Sequence, residues 1–135
     1  MNNIKVFIPY NKEFLIFKDE CKALYENVQN KICDTNNFEF IIENTFFYLF
    51  VNNQKLIGAI YFFEDNDKKL YLNGFSYRKM HLLNLECLKM SLNWFACNIY
   101  AIAQNKMSKL CLKKCGFECV EGNEFMYKAK ICGKS

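Results

Sequence analysis

The order of hydrophobic periods along the 135 residues predicts an α/β fold, a mixed and mostly antiparallel sheet with helices on both faces. Three observations carry this reading. Residues 46–75 hold three aromatic or β-branched runs separated by short polar turns. Segments with apolar residues three and four apart flank that meander on both sides. Further on, a helix lies between two strands, a connection that places a parallel pair inside an otherwise antiparallel sheet.

Taken in order, Ile4, Val6, Phe7 and Ile8 read as a short strand stopped by Pro9, the single proline. Phe14, Phe17, Cys21, Leu24 and Val28 then share one face of an amphipathic helix over residues 12–32. Asp34-Thr35-Asn36-Asn37 closes it as a turn. Residues 38–42 fit either an edge strand or a last helical turn. The meander follows: 46–51, the turn signal Asn52-Asn53, 55–63 with Gly58 inside it, the polar turn 64–67, and 70–75. From Arg78 the period is helical again. Leu85, Leu88, Leu92 and Phe95 form one stripe and Leu83, Cys87, Met90 and Trp94 another, which predicts a helix to Phe95 buried against the sheet. A strand over 99–103, a helix over 106–115 and a strand over 125–130 complete the order, with Gly116 at the helix C′ position that favours positive φ. No repeat or linker divides the chain, so one domain is expected over residues 1–135.

Composition excludes several classes. Hydrophobic residues make up 52% and charged residues 24%, which is globular and not disordered. The charge balance, 18 basic against 14 acidic, is only mildly basic, and Arg78 is the sole arginine, so no nucleic-acid partner is expected. No apolar run approaches the roughly 18 residues of a membrane span, and Met1 to Lys5 do not open a secretory signal. The 8 cysteines sit mostly in apolar patterns and read as reduced thiols of a cytoplasmic protein. Cys111, Cys115 and Cys119 lack the paired spacing of a structural zinc site, and the one histidine, His81, is distant in sequence. No metal is expected.

The last third reads Asn105-x2-Ser108-x7-Gly116-Phe117-x3-Glu121-Gly122. In these residues, on a strand–helix–strand background, the chain resembles the GNAT superfamily of acyl-CoA-dependent N-acyltransferases. It is most similar to the branch that contains the ribosomal-protein N-terminal acetyltransferases. The resemblance covers roughly residues 45–130 and includes the glycine-bearing strand at Gly58 and the helix ending in Trp94-Phe95.

The resemblance implies acetyl-CoA as cofactor and a primary amine, on a small molecule or a protein N-terminus, as acceptor. The family's loop after the fourth strand reads Gln/Arg-x-x-Gly-x-Gly/Ala, and its backbone N–H groups and following helix N-terminus hold the pyrophosphate. Here it maps to Phe75, Ser76, Tyr77, Arg78, Lys79, Met80, His81, Leu82 and Leu83, with Arg78 matching and His81 and Leu83 replacing the two glycines. Side chains at 81 and 83 are therefore expected to crowd the cradle. The resemblance further assigns Asn105 to the pantetheine arm or its loop and Ser108 to a hydroxyl beside the departing thiolate. Leu112 stands where many relatives place a tyrosine. Backbone N–H groups near Phe75 to Tyr77 are expected to hold the oxyanion.

Plainer readings stand beside these. Asn105 and Ser108 also suit a strand end and a helix cap, and Lys106, Lys109 and Lys113 suit a solvated face. The residues at 81 and 83, and the absence of a carboxylate from 70–75, fit a second hypothesis: a catalytically degenerate GNAT-like protein that binds a protein partner. Small chains of this composition also resemble bacteriophage-encoded ones, where a virion or assembly role is possible.

Overall fold

A computed structural model describes residues 3–32 and 34–129. The elements are β1 (Ile4–Phe7), α1 (Lys12–Ile32), α2 (Phe38–Asn44), β2 (Phe46–Asn52), β3 (Lys55–Glu64), β4 (Leu70–Ser76), α3 (His81–Ser91), β5 (Ile99–Ile102), α4 (Lys106–Lys114), β6 (Glu118–Glu121) and β7 (Glu124–Tyr127), with a single 3₁₀ turn at Arg78–Met80 leading into α3. One seven-stranded sheet runs in the order β1-β2-β3-β4-β5-β7-β6, and every neighbouring pair is antiparallel except β4–β5. The expected mixed sheet with helices on both faces is what the chain forms.

Its first half is built on aromatic burial. Phe14, Cys21 and Leu24 give α1 its inner stripe, and Tyr25 joins them. They seat on Phe47, Leu49, Tyr61 and Phe75 of the sheet, where rings meet at centroid distances near 6 Å, such as Phe14–Phe47 at 6.0 Å and Tyr25–Phe75 at 5.4 Å. Residues 38–42, open between two readings in sequence, belong to the short helix α2. The Asn37 side chain caps it by accepting the Phe40 N–H at 2.8 Å, and Phe38 and Ile41 bury at a spacing of three.

The β2–β3 hairpin turns through Asn53 and Gln54, both at positive φ, which matches the twist of a two-residue loop. Gly58 is demanded by the sheet itself: a Cβ there would lie 2.1 Å from the Phe75 carbonyl oxygen on β4.

The opposite face carries α3 and α4 over Phe50, Ile60, Phe62, Leu72, Ile99 and Phe125. Here the structure corrects two expectations. The helix after Arg78 ends at Ser91, not Phe95: beyond Leu92 the Asn93 and Trp94 N–H groups reach back only three residues, to the Met90 and Ser91 carbonyls, and the chain turns. Trp94 and Phe95 then fold onto the meander, Trp94 stacking on Phe50 and Phe95 meeting Phe62 at 4.5 Å. The second correction is a strand that sequence patterning does not show. β6 pairs with β7 around Gly122, and all its residues are exposed, so it has no inward face to mark it. Lys130, expected to end the last strand, lies outside the described residues, as do Met1 and Asn2. α4 closes as expected, with Gly116 at φ +96 and the Phe117 N–H returning to the Leu112 carbonyl.

Cys21, Cys87, Cys97, Cys111, Cys115 and Cys119 are free thiols, and among the described residues no group of three His, Cys, Asp or Glu side chains is placed to hold a metal ion. No helix among the described residues is long and apolar enough to cross a membrane.

Candidate functional site

The site begins where the sheet comes apart. β4 pairs with β3 over its whole length, from Leu70↔Glu64 to Ser76↔Gly58. With β5 it pairs only at Leu70↔Ile99 and Tyr71↔Tyr100. Beyond that rung the two parallel strands diverge, and the open end of the wedge faces the start of α3 on one side and the start of α4 on the other.

The register decides which backbone groups face the wedge. The Tyr77 N–H donates to the Ile57 carbonyl at 3.1 Å. Bonded pairs alternate along an antiparallel ladder, so residues 71, 73, 75 and 77 turn their polar groups to β3, while Gly74 and Ser76 turn theirs toward the wedge. The Gly74 N–H is taken by the Asn73 side-chain oxygen at 2.9 Å. Within the stretch Phe75–Tyr77 expected to hold an oxyanion, only Ser76 therefore presents its N–H to the wedge.

A cavity of about 120 Å³ sits at the narrow end, between Tyr71, Leu72 and Asn73 of β4, Ile102 and Gln104 beyond β5, and Ile32 and Phe63. A larger one, about 190 Å³, lies at Gly116, Glu118 and Met126, against β6 and β7 and apart from the wedge. Position, not size, makes the smaller one the candidate.

The loop between α1 and α2 is tied down beside it. Tyr61 donates its hydroxyl to Asp34 at 2.6 Å, Tyr25 donates to the Asn36 carbonyl at 2.6 Å, and the Asn73 amide donates to the Ile32 carbonyl at 3.2 Å. Burial first, and then the Asp34 carboxylate, push both tyrosine hydroxyls well above their ordinary range, so they stay neutral donors.

The expected cofactor residues spread over three environments. Phe75 is a core residue under α1. Met80 and Leu83 are half-buried against the α3-side core. Arg78, Lys79, His81 and Leu82 are exposed, Leu82 at 66%. Tyr77 links the loop to α1 by donating to Glu20 at 2.6 Å, and that bond, with some burial, lifts its hydroxyl to about 12. Among the described residues, no side chain caps the 3₁₀ turn or α3. Asn84, the fourth residue of α3, holds its side-chain oxygen out of solvent with no hydrogen-bond partner among the described residues.

Asn105 and Ser108 are joined in a reciprocal cap at the start of α4. Asn105 Oδ1 accepts the Ser108 N–H at 2.9 Å. Ser108 Oγ accepts the Asn105 and Gln104 N–H groups at 3.1 and 3.0 Å and lies 3.0 Å from the Asn105 carbonyl, to which it can donate. Sequence reasoning singled out this pair but not Asn73, Gln104, Tyr71, Tyr100 or Glu124. An asparagine inside an aromatic strand was the one available signal.

Solved structures share this architecture. An N-acetyltransferase from Staphylococcus aureus Mu50 superposes with a TM-score of 0.67 at 16% identity, covering 95% of this chain and 97% of that one. An acetyltransferase of the GNAT family from Staphylococcus aureus Mu50 gives 0.63 at 17% identity, covering 95% and 100%. The Campylobacter jejuni N-acetyltransferase PseH, solved in complex with acetyl coenzyme A, gives 0.52 at 13% identity, covering 95% and 99%. At these identities what is shared is the fold: a single-domain GNAT fold. No protein-family model and no curated protein sequence matches the chain.

Proposed function

We propose that this protein binds acetyl-CoA in the wedge between β4 and β5 and transfers the acetyl group to a primary amine, on a small molecule or a protein N-terminus. One observation carries the reading. The parallel ladder stops after two rungs, which leaves the inner edge of β4 at Gly74 and Ser76 without a neighbouring strand, next to a cavity and below an uncapped helix start. Backbone edges left open inside a sheet need partners, and an extended amide-bearing arm supplies them.

The residues present fit such a ligand. Of the two side chains that stand in place of glycine, Leu83 packs on the α3-side core and His81 is exposed to solvent. The start of α3, with Arg78 and Lys79 ahead of it, suits a diphosphate. The Asn84 oxygen, which no described residue donates to, is a buried acceptor able to take a donor.

When bound, acetyl-CoA supplies an acyl group already activated as a thioester. The chain's part is to hold and orient it. Ser76 offers its N–H along β4, Asn73 keeps the Gly74 N–H engaged and the narrow end shaped, and the Asn105–Ser108 cap fixes the opposite wall. Ser108 Oγ is the proton donor at that wall, provided its hydrogen turns from the Asn105 carbonyl toward the wedge.

Thermal denaturation with acetyl-CoA tests the reading. A ligand present at 100 times its Kd stabilises by about 2.7 kcal/mol, a clear rise in Tm. Ser108→Ala is expected to slow turnover while keeping that rise. The absence of any rise at millimolar acetyl-CoA would favour the second reading, a GNAT-fold protein that binds a partner without catalysis. That reading draws on the glycine-free loop and on a Ser108 hydroxyl already engaged in a cap.

A further inference from the structure

On the α1-side face of the sheet, at the last rung before the strands part, Lys69 reaches across two tyrosines to a carboxylate. Its Nζ stands 4.5 Å from the centre of the Tyr100 ring, 5.9 Å from that of Tyr71, and 3.3 Å from Glu124 Oε2. Tyr71 donates its hydroxyl to the same oxygen at 3.4 Å. Tyr71 and Tyr100 face each other across the rung with ring centres 5.7 Å apart. Glu124 pairs in register with Ile102, and Tyr71 and Ile102 line the cavity at the narrow end of the wedge.

Two ring faces and one carboxylate around a point are the elements of a site for a positively charged nitrogen. In this chain the site already holds one, on a tether of its own.

We infer that Tyr71, Tyr100 and Glu124 form a seat for an ammonium group that anchors the acceptor through a nitrogen other than the one acetylated, and that Lys69 is a tethered occupant that an incoming primary alkylammonium displaces. The inference rests on the acetyl-transfer reading for its use, but not for its geometry. The occupant defines the ligand chemistry, an unhindered alkyl chain ending in –NH₃⁺, whether a free amine or a lysine side chain. Lys69 itself is not the acceptor. Its bond to Glu124 raises its pKa, which keeps it protonated and without a lone pair for attack. It is also only partly covered, its side chain 36% exposed and that of Glu124 24%, so exchange needs no unfolding.

The test uses the full chain and titrates n-butylammonium and Nα-acetyl-lysine amide separately, reading the backbone amide shifts of Tyr71 and Tyr100 by NMR. Lys69→Met, which keeps an aliphatic stem but removes the competitor, is expected to bind at least one of the two about tenfold more tightly than the parent chain. The tighter of the two identifies the source of the amine. Adding Glu124→Gln, which is isosteric and leaves the ladder intact, is expected to cancel the gain. No gain in Lys69→Met, or a gain that survives Glu124→Gln, overturns the seat. Acetyl-CoA thermal shifts of the same variants report the cofactor reading independently. Amine binding without an acetyl-CoA shift would remove the transferase and leave the seat, and the reverse would remove the seat alone.

Discussion

The sheet has two halves that differ in how they are held. β1 to β4 form a continuous antiparallel ladder, seven paired residues between β3 and β4 alone, covered on both faces. β4 and β5 share two rungs, and from β5 on the α1-side face carries half-buried or exposed residues such as Tyr100 and Ile102, the latter at 45%. The first half is packed on both faces, while the second buries only its α3-side face, through residues such as Ile99, Leu112 and Phe125. The second gives up strand pairing along one edge, and that concession makes a cleft. Opposite consequences of substitution should follow on either side of β4.

The largest effect is expected in the first half. Phe47 is buried between Phe14, Phe38 and Tyr61, so Phe47→Ala should cost about 3–5 kcal/mol in a urea unfolding series. Gly58→Ala should follow at about 3 kcal/mol, because its Cβ would meet backbone on β4, which cannot swing aside. Both variants test whether stability and cleft are separable: while folded, Phe47→Ala should keep the acetyl-CoA shift, whereas Gly58→Ala, which moves β4, should shrink it.

Smaller costs are expected around the wedge. Asn105→Ala removes the α4 cap and leaves the Ser108 N–H without its acceptor, about 1 kcal/mol, and should also reduce the acetyl-CoA shift. Asn73→Leu frees the Gly74 N–H and drops the bond to Ile32, again about 1 kcal/mol, and should alter acetyl-CoA binding more than stability. Equal loss of binding and stability in both would erase the distinction between the halves.

The smallest effect probes the joint between them. Tyr77 is bonded to Glu20 on α1 and its hydroxyl is raised from an ordinary 10 to about 12. The folded state therefore holds that proton more tightly than the unfolded one. The contribution is complete below pH 10 and is lost as pH rises through 12, so the urea midpoint should fall across pH 10–12 and Tyr77→Phe should flatten part of that fall. The buried thiol Cys87, raised to about 12 by burial, acts with the same sign from pH 9 upward and remains in the variant.

How much of this was legible in the sequence divides along the same line. α1 was readable to its ends because a single inner face repeats from Phe14 to Val28 and a polar turn stops it. The meander was readable because its turns are short and its runs aromatic. β6 was not, since every residue in it is exposed and an edge strand with no buried side leaves no period. Trp94 and Phe95 continued a helical stripe in spacing, yet packing on Phe50 and Phe62 draws them out of the helix. At the site, the Asn105–Ser108 spacing was visible as a local pair. Which of Phe75, Ser76 and Tyr77 faces the wedge was not, because it depends on the β3 register. Nor was the meeting of Lys69 with Glu124, 55 residues apart and joined only when β7 inserts beside β5.

The central claim is that the unpaired edge of β4 is a binding surface. Amide hydrogen exchange at Ser76, with and without acetyl-CoA, tests it directly. The account predicts that the Ser76 N–H exchanges freely in the unliganded chain and slows by about tenfold or more once acetyl-CoA is added, while amides of β2 and β3 change little. Exchange at Ser76 that is unaltered by saturating acetyl-CoA would contradict it.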